Sequence, residues 1–239
     1  MQAVTKPSRL VGILGGMGPS ATADFYTKLI AHTPASLDQE HLRVVIWADP
    51  TVPSRQEAIL AGGPDPSPWL EAGIGRLIGC GAEIVVVPCN TVHKYLPQIM
   101  DGKPTEFISI IDTTIHAVQR DAVGGPIGVL ATDGALSAGI FQEALGEAGF
   151  GIALPWPEEQ TKLMDVVNRV KAGLTGPTLL QDMYSVLASL ERQGARTAIL
   201  GCTELSTLLA SDSDDYPVKL IDPAVELAIA TISRAIKHT

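Results

Sequence analysis

Four consecutive β-branched residues, Ile84-Val85-Val86-Val87, run into Pro88-Cys89-Asn90-Thr91-Val92-His93 and constrain this chain more than any other stretch. Such a run reads as a strand buried on both faces, as in a parallel sheet covered by helices on each side. Pro88 ends the ladder because it has no N–H to donate, and Asn90 or Thr91 is expected to cap a following helix. Cys89 then sits at the carboxyl end of a parallel strand, beside a helix N-terminus. α/β proteins bind ligands there, and the positive end of the helix dipole lowers a thiol pKa. The same arrangement recurs in Thr197-Ala198-Ile199-Leu200-Gly201-Cys202-Thr203-Glu204-Leu205.

The recurrence extends beyond the cysteines. Ile127-Gly128-Val129-Leu130-Ala131-Thr132-Asp133-Gly134-Ala135 repeats the layout of Val11-Gly12-Ile13-Leu14-Gly15-Gly16-Met17-Gly18-Pro19, and Gly12 and Gly128 are separated by nearly the same distance along the chain as Cys89 and Cys202. Two strand-loop-helix landmarks recurring at one spacing imply an internal duplication. Alternating strands and helices within each copy predict an α/β protein of two similar doubly wound parallel-sheet domains related by a pseudo-twofold axis. Their strand ends would converge on a cleft, each copy contributing one thiol. The expected division is residues 1–114 with 217–239 as a first α/β domain, its C-terminal helix packing back, and residues 115–216 as a second. A chain of 239 residues can form such cores.

The remaining elements follow in order. A first strand, Leu10–Leu14, leads into a glycine loop, and Pro19 or Ser20 starts a helix to about Thr33. Glycines at this turn let backbone N–H groups approach an anion, which makes Gly16 and Met17 candidates for substrate binding. Gly16-Met17-Gly18-Pro19-Ser20-Ala21 also fits the loose dinucleotide pattern GxGxxA, a weak match alone; Walker A is excluded. A second strand, Val44–Ala48, ends at the proline-rich loop Asp49 to Arg55, on the same strand-end face; Arg55 is its one basic residue and by exposure alone reads as a surface arginine. A helix over Trp69–Ile78 precedes Gly79-Cys80-Gly81-Ala82, where Cys80 is expected to be buried. Phe107–Ile111 reads as a fourth strand ending at Asp112-Thr113-Thr114, with a helix to about Val123. In the second copy a helix over about Glu158–Ala172 buries Leu163, Val166, Val167 and Val170, and Lys171 at its end reads as serving the dipole and solubility. A helix from about Thr178 to Gln193 follows, the acidic stretch Ser211–Asp215 is expected to be solvated, and Val218–Pro223 is a last strand before the C-terminal helix from about Ala224.

Charge and cysteine content narrow the function. A net charge of -9 argues against nucleic-acid binding, which needs a basic face, but leaves room for a small anion held by local cations. The polar N-terminus and the absence of a long apolar run predict neither signal peptide nor membrane span. Three cysteines, none in CxxC or zinc-like spacing, predict reduced thiols, no structural disulfide and no metal, in a cytoplasmic setting.

Taken together, Gly12–Pro19, Asp49-Pro-Thr-Val-Pro-Ser-Arg55, Pro88-Cys-Asn-Thr-Val-His93, Val170-Lys-Ala-Gly173 and Gly201-Cys-Thr-Glu-Leu205, in this order, resemble the aspartate/glutamate racemase family, the cofactor-independent amino-acid racemases, over nearly the whole chain. The resemblance implies a homodimer without cofactor, acting on aspartate or next on glutamate, with Arg55 and Lys171 as contacts to substrate carboxylates. The residues support that chemistry unaided. Racemisation removes an α-proton from one face and returns one to the other, so two opposed acid/base groups suffice, and a thiol can be tuned towards neutrality. Cys89 and Cys202 are the candidates, and Asn90, Thr91 and Thr203 could stabilise the carbanion-like intermediate. His93 and Glu204 could orient a thiol or tune its charge; His93 could equally cap a helix, and Glu204 serve a helix's first turn. Ile221-Asp222-Pro223-Ala224-Val225-Glu226 departs from relatives that carry a histidine shortly after this aspartate.

Competing readings are another reaction of the same superfamily, such as maleate isomerisation, malonate decarboxylation or hydantoin racemisation. Decarboxylation needs one proton donor, so paired thiols favour proton shuttling. A nucleotide-dependent oxidoreductase using Gly16-Met17-Gly18 and Asp49 explains neither the second copy nor the cysteines. A non-enzymatic ligand-binding protein explains a cleft but not its thiols.

Overall fold

The computed structural model describes residues 9–209 and 216–236, so Ser211–Asp215 and most of the polar N-terminus lie outside the described residues. The first part of the chain runs β1 (Val11–Gly15), α1 (Pro19–His32), β2 (Val44–Ala48), α2 (Arg55–Leu60), α3 (Ser67–Gly79), β3 (Ile84–Val86), α4 (Leu96–Met100), β4 (Glu106–Ile108) and α5 (Ile110–Asp121). The second runs β5 (Ile127–Leu130), α6 (Asp133–Ser137), α7 (Ile140–Glu147), β6 (Ile152–Ala153), α8 (Pro157–Lys171), α9 (Pro177–Arg192), β7 (Thr197–Leu200), α10 (Thr203–Leu209), β8 (Lys219–Ile221) and α11 (Pro223–Ala235). Both sheets are parallel and four-stranded, with the matching orders β2-β1-β3-β4 and β6-β5-β7-β8. The duplication read from the two cysteine strands is visible in these orders.

Gly12 and Gly128 show why the repeat keeps its glycines. Gly12 lies opposite Val45 and Val85, and Gly128 opposite Ala153 and Ala198. A Cβ on Gly12 would come within 2.9 Å of Ala82 and 3.2 Å of Leu77 on α3; one on Gly128 would come within 2.7 Å of Leu190 on α9. Each glycine lets the helix before the cysteine strand settle onto the first strand of its sheet.

Among the described residues the core has three parts. Val11, Ile13, Phe25, Ile84 and Val86 from the first sheet's side join Ile127, Val129, Phe141 and Ile199 from the second, through Ile110 and Val118 of α5 and Leu227 and Ala228 of α11. Leu70, Ile74 and Leu77 of α3 cover the outer face of the first sheet, and α8, α9 and α10 cover that of the second. Ile84, Val85 and Val86 are fully buried, as a two-sided strand requires, each burial contributing about 1.5–3 kcal/mol.

Four expectations are corrected. β4 ends at Ile108, because the Ser109 hydroxyl accepts the Asp112 N–H at 3.2 Å and caps α5, so Ile110 and Ile111 are buried from a helix. A short apolar run does not separate these two cases. Cys80 is exposed, because it terminates α3 on the surface. β8 pairs with β7, which puts it on the other side of the boundary expected at residue 217, while α11 after it packs against α1 and α5. Asn90 precedes a 3-10 turn, Thr91–Lys94, and its side chain makes no capping bond.

Candidate active site

The carboxyl ends of the strands in both sheets meet around one cavity, with empty space of about 420 Å³ including its mouth. One wall comes from the loops after β1, β2 and β3: Met17, then Ser54, Arg55 and Gln56, then Cys89, Asn90 and Thr91. The other comes from the second half: Thr132 after β5, Lys171 at the end of α8, and Gly201, Cys202, Thr203 and Glu204 after β7. Each thiol is carried there by its strand, and each is buried, with Cys89 7% and Cys202 6% exposed.

The surroundings of the thiols differ. The Cys202 S–H donates to Glu204 Oε2 at 2.9 Å. Burial pushes the Cys202 thiol well above its usual pKa, the Glu204 charge adds to the rise, and Lys171 opposes it. This reverses the expectation from the helix dipole, because desolvating a thiolate outweighs what the short α10 can offset. On the other wall, His93 Nδ1 donates to the Cys89 carbonyl at 2.9 Å while Nε2 accepts the Ile110 N–H at 3.2 Å. The ring stacks on Phe107 at 5.6 Å and its pKa falls to about 4, chiefly through burial. His93 is therefore neutral and fully engaged; it lines a second cavity beside α7 and not the one holding the thiols.

Asn90 is 3% exposed and, among the described residues, neither of its amide atoms has a hydrogen-bond partner. An unsatisfied buried amide costs about 1–3 kcal/mol, so this one is suited to a polar ligand group. The Arg55 guanidinium donates to the carbonyls of Pro53 at 3.1 Å, Val52 at 3.3 Å and Met17 at 3.5 Å. It joins the β2 loop to the glycine loop and is not a solvated surface group. Lys171 reaches the cavity from an exposed position at the C-terminus of α8. Gly16 does not line the cavity: its N–H donates to Thr22 Oγ1 at 2.9 Å, and its φ of 94° with Asp49 backbone 2.4 Å from where a Cβ would stand explains the glycine. Ser54, Gln56, Thr132 and Gly201 also line the cavity and were not singled out as site residues from sequence. Thr132 carried a signal, since it stands in the second copy's counterpart of the glycine loop. Among the described residues, no cluster of three or more His, Cys, Asp or Glu could hold a metal, and no helix is long and apolar enough to cross a membrane.

The family model for Asp/Glu/hydantoin racemases matches residues 14–231. The chain belongs to this racemase family. Among solved structures, an aspartate racemase from Picrophilus torridus superposes with a TM-score of 0.86 at 29% identity, covering 96% of this chain and 95% of that one. The broad specificity amino-acid racemase RacX of Bacillus subtilis (strain 168) is 26% identical over 234 residues, 94% of this chain and 97% of the relative. A glutamate racemase from Francisella tularensis, solved in complex with D-glutamate, shares the fold with a TM-score of 0.69 at 15% identity over 95% of this chain and 80% of that one. As a member of the family, this protein is an amino-acid racemase, an isomerase acting on a small substrate.

Proposed function

We propose that this racemase interconverts the L and D forms of aspartate, with glutamate next, without a cofactor, using Cys89 and Cys202 as opposed acid and base. The carrying observation is that two buried thiols, from equivalent strand ends of the two sheets, line one cavity with two cationic side chains, Arg55 and Lys171. One sulfur, as thiolate, takes the α-proton; the other, as thiol, delivers a proton to the opposite face of the planar carbanion, and the roles exchange in reverse. The Asn90 amide is suited to both ends of the amino-acid head: Nδ2 can donate to the carboxylate where charge develops, and Oδ1 can accept from the ammonium. Two cations on opposite walls favour a dicarboxylate, since a side-chain carboxylate left unpaired in a closed site costs several kcal/mol. The similarity to a structure named as an aspartate racemase supports the same choice.

The test is α-proton exchange in D₂O, followed by NMR over a panel of single-enantiomer amino acids. Aspartate should exchange and invert fastest. Absence of exchange with every amino acid, in protein shown to be folded, would remove the reading.

A further inference from the structure

Cys89 and Cys202 hold equivalent places in the two sheets but keep different company. Among the described residues, Glu204 is the only carboxylate lining their cavity, and it accepts the Cys202 S–H at 2.9 Å. Glu204 is itself buried, 6% exposed, and its second oxygen reaches towards the opposite half: a Cβ on Gly18 of the β1 loop would stand 3.5 Å from Oε1. The carboxylate thus stands between the two walls, with one oxygen on the thiol. On the racemase reading above, we propose that Glu204 is a positioning residue that keeps the proton on Cys202, so that the resting enzyme holds Cys202 as the acid and Cys89 as the base.

The physical reason is the charge pair that the opposite arrangement would create. A Cys202 thiolate would place its charge at hydrogen-bond distance from a buried carboxylate, which disfavours the ionised sulfur. Of the other charged or titratable groups, Lys171 at the mouth, Arg55 and Cys89 share the cavity. Elsewhere on α10, Ser206 donates to Asp222 at 2.5 Å; Asp222 stands 3.6 Å from Lys28, which also pairs with Asp24, so those groups form a network of their own. Lys171 favours the thiolate, but its exposed position leaves it open to solvent screening.

The proton inventory of one turnover gives the consequence. The Cys89 thiolate removes the α-proton, forming its S–H bond while the C–H pair passes into the carbanion. The Cys202 S–H bond then breaks as the opposite face of the α-carbon is protonated. Cys89 ends as thiol and Cys202 as thiolate beside Glu204, and the resting form returns when Cys89 gives its proton to solvent and Cys202 takes one up from it. The enantiomer that binds the resting form meets most of the enzyme; the other must use a minor form, which weakens its apparent affinity by the minor form's fraction. Because enantiomers are equal in energy, kcat/KM is the same in both directions, and the inequality shows in KM and kcat taken separately.

Two measurements test the proposal. In the absence of substrate, iodoacetamide alkylation of Cys89 and Cys202 is followed against pH by peptide mass spectrometry in wild type, Glu204→Gln and Glu204→Asp. Glu204→Gln should lower the Cys202 midpoint by about one pH unit or more and move Cys89 less, while Glu204→Asp keeps the charge and should stay nearer wild type. With substrate, Glu204→Gln should bring the two enantiomers' KM values closer together. An unchanged Cys202 midpoint in folded Glu204→Gln overturns the proposal. Should Glu204→Gln fail to fold, a wild-type midpoint for Cys202 at or below that of Cys89 overturns it equally. The alkylation profile needs no turnover: a protein that racemises nothing yet shows the shift loses the functional reading and keeps the proton placement. An active enzyme without the shift loses only the role of Glu204.

Discussion

Gln56 Oε1 accepts the backbone N–H of Gly134 at 2.5 Å, joining the start of α2 in one half to α6 in the other across the mouth of the thiol cavity. Gln56 follows Arg55 directly, so the bond holds the arginine's helix against the opposite wall. A Cβ on Gly134 would stand 2.0 Å from Gln56 Oε1, which means Gly134→Ala must displace that side chain. Loss of one hydrogen bond worth about 0.5–1.5 kcal/mol predicts that Gln56→Ala and Gly134→Ala each raise KM for aspartate by about 2–10-fold, with a smaller change in kcat. Steady-state kinetics decide; an unaltered KM in both variants would show that the bridge is idle in catalysis.

Acid should weaken the fold through His93. Its pKa is 6.5 in an unstructured chain and about 4 in the buried ring, so the fold keeps it neutral where the unfolded chain takes a proton. Its stabilising contribution is complete above about pH 6.5 and is lost as pH falls towards 4, by about 2–3 kcal/mol at pH 4.5. Urea unfolding of wild type and His93→Gln at pH 7 and pH 4.5 isolates this contribution from the carboxylates that both proteins share. The wild type should lose about 2–3 kcal/mol more than the variant between the two pH values. Equal losses would show that the imidazole is not held neutral.

Removing either thiol should nearly abolish racemisation. A positioned acid or base contributes about 10²–10⁴-fold, and Cys89→Ala and Cys202→Ala each delete one. Each variant should retain α-proton exchange on at most one enantiomer, without inversion. A complex with a substrate analogue should place the sulfurs about 6–7 Å apart, each about 3–3.5 Å from the reacting carbon on opposite faces. Racemisation at wild-type rate in either single variant would end the two-base assignment.

The strand ends were legible in the sequence because Ile84–Val87 and Ala198–Leu200 are continuous apolar runs, each followed after one residue by its cysteine. The pair of similar parallel sheets, too, could be anticipated from the Gly12 and Gly128 repeat. Residues whose roles depend on partners far along the chain were harder to read. Gln56 looks like an ordinary helix residue until Gly134 is brought to it, and the acidity of Cys202 depends on which way Glu204 turns. Asn90 has the composition of a cap, but a 3-10 turn follows it and leaves its amide for the cavity. Cys80 departs from the common burial of free cysteines because it stands at a helix end that faces solvent.

Arg55 should decide which amino acids are accepted. Its guanidinium is held beside the cavity by the carbonyls of Val52, Pro53 and Met17, with Nε and one Nη2 hydrogen left for a ligand. A lysine would keep the charge but could not reproduce this set of contacts or grip a carboxylate with two parallel bonds. Loss of a charge-assisted hydrogen bond, about 1.5–3 kcal/mol, predicts that Arg55→Lys raises KM for aspartate by about 10–100-fold. Arg55→Leu should remove aspartate and glutamate turnover more completely, while any slow turnover of alanine, which has no side-chain carboxylate, falls much less. The measurement is kcat/KM for aspartate, glutamate and alanine in the wild type and both variants, beside thermal unfolding to detect loosening of the loop. An equal fall for all three substrates would assign Arg55 to the α-carboxylate that every amino acid carries, and selectivity for the dicarboxylates would then rest on Lys171. No fall for any would mean that Arg55 only ties the β2 loop to the glycine loop, and a dicarboxylate would have lost its strongest reason to be the substrate.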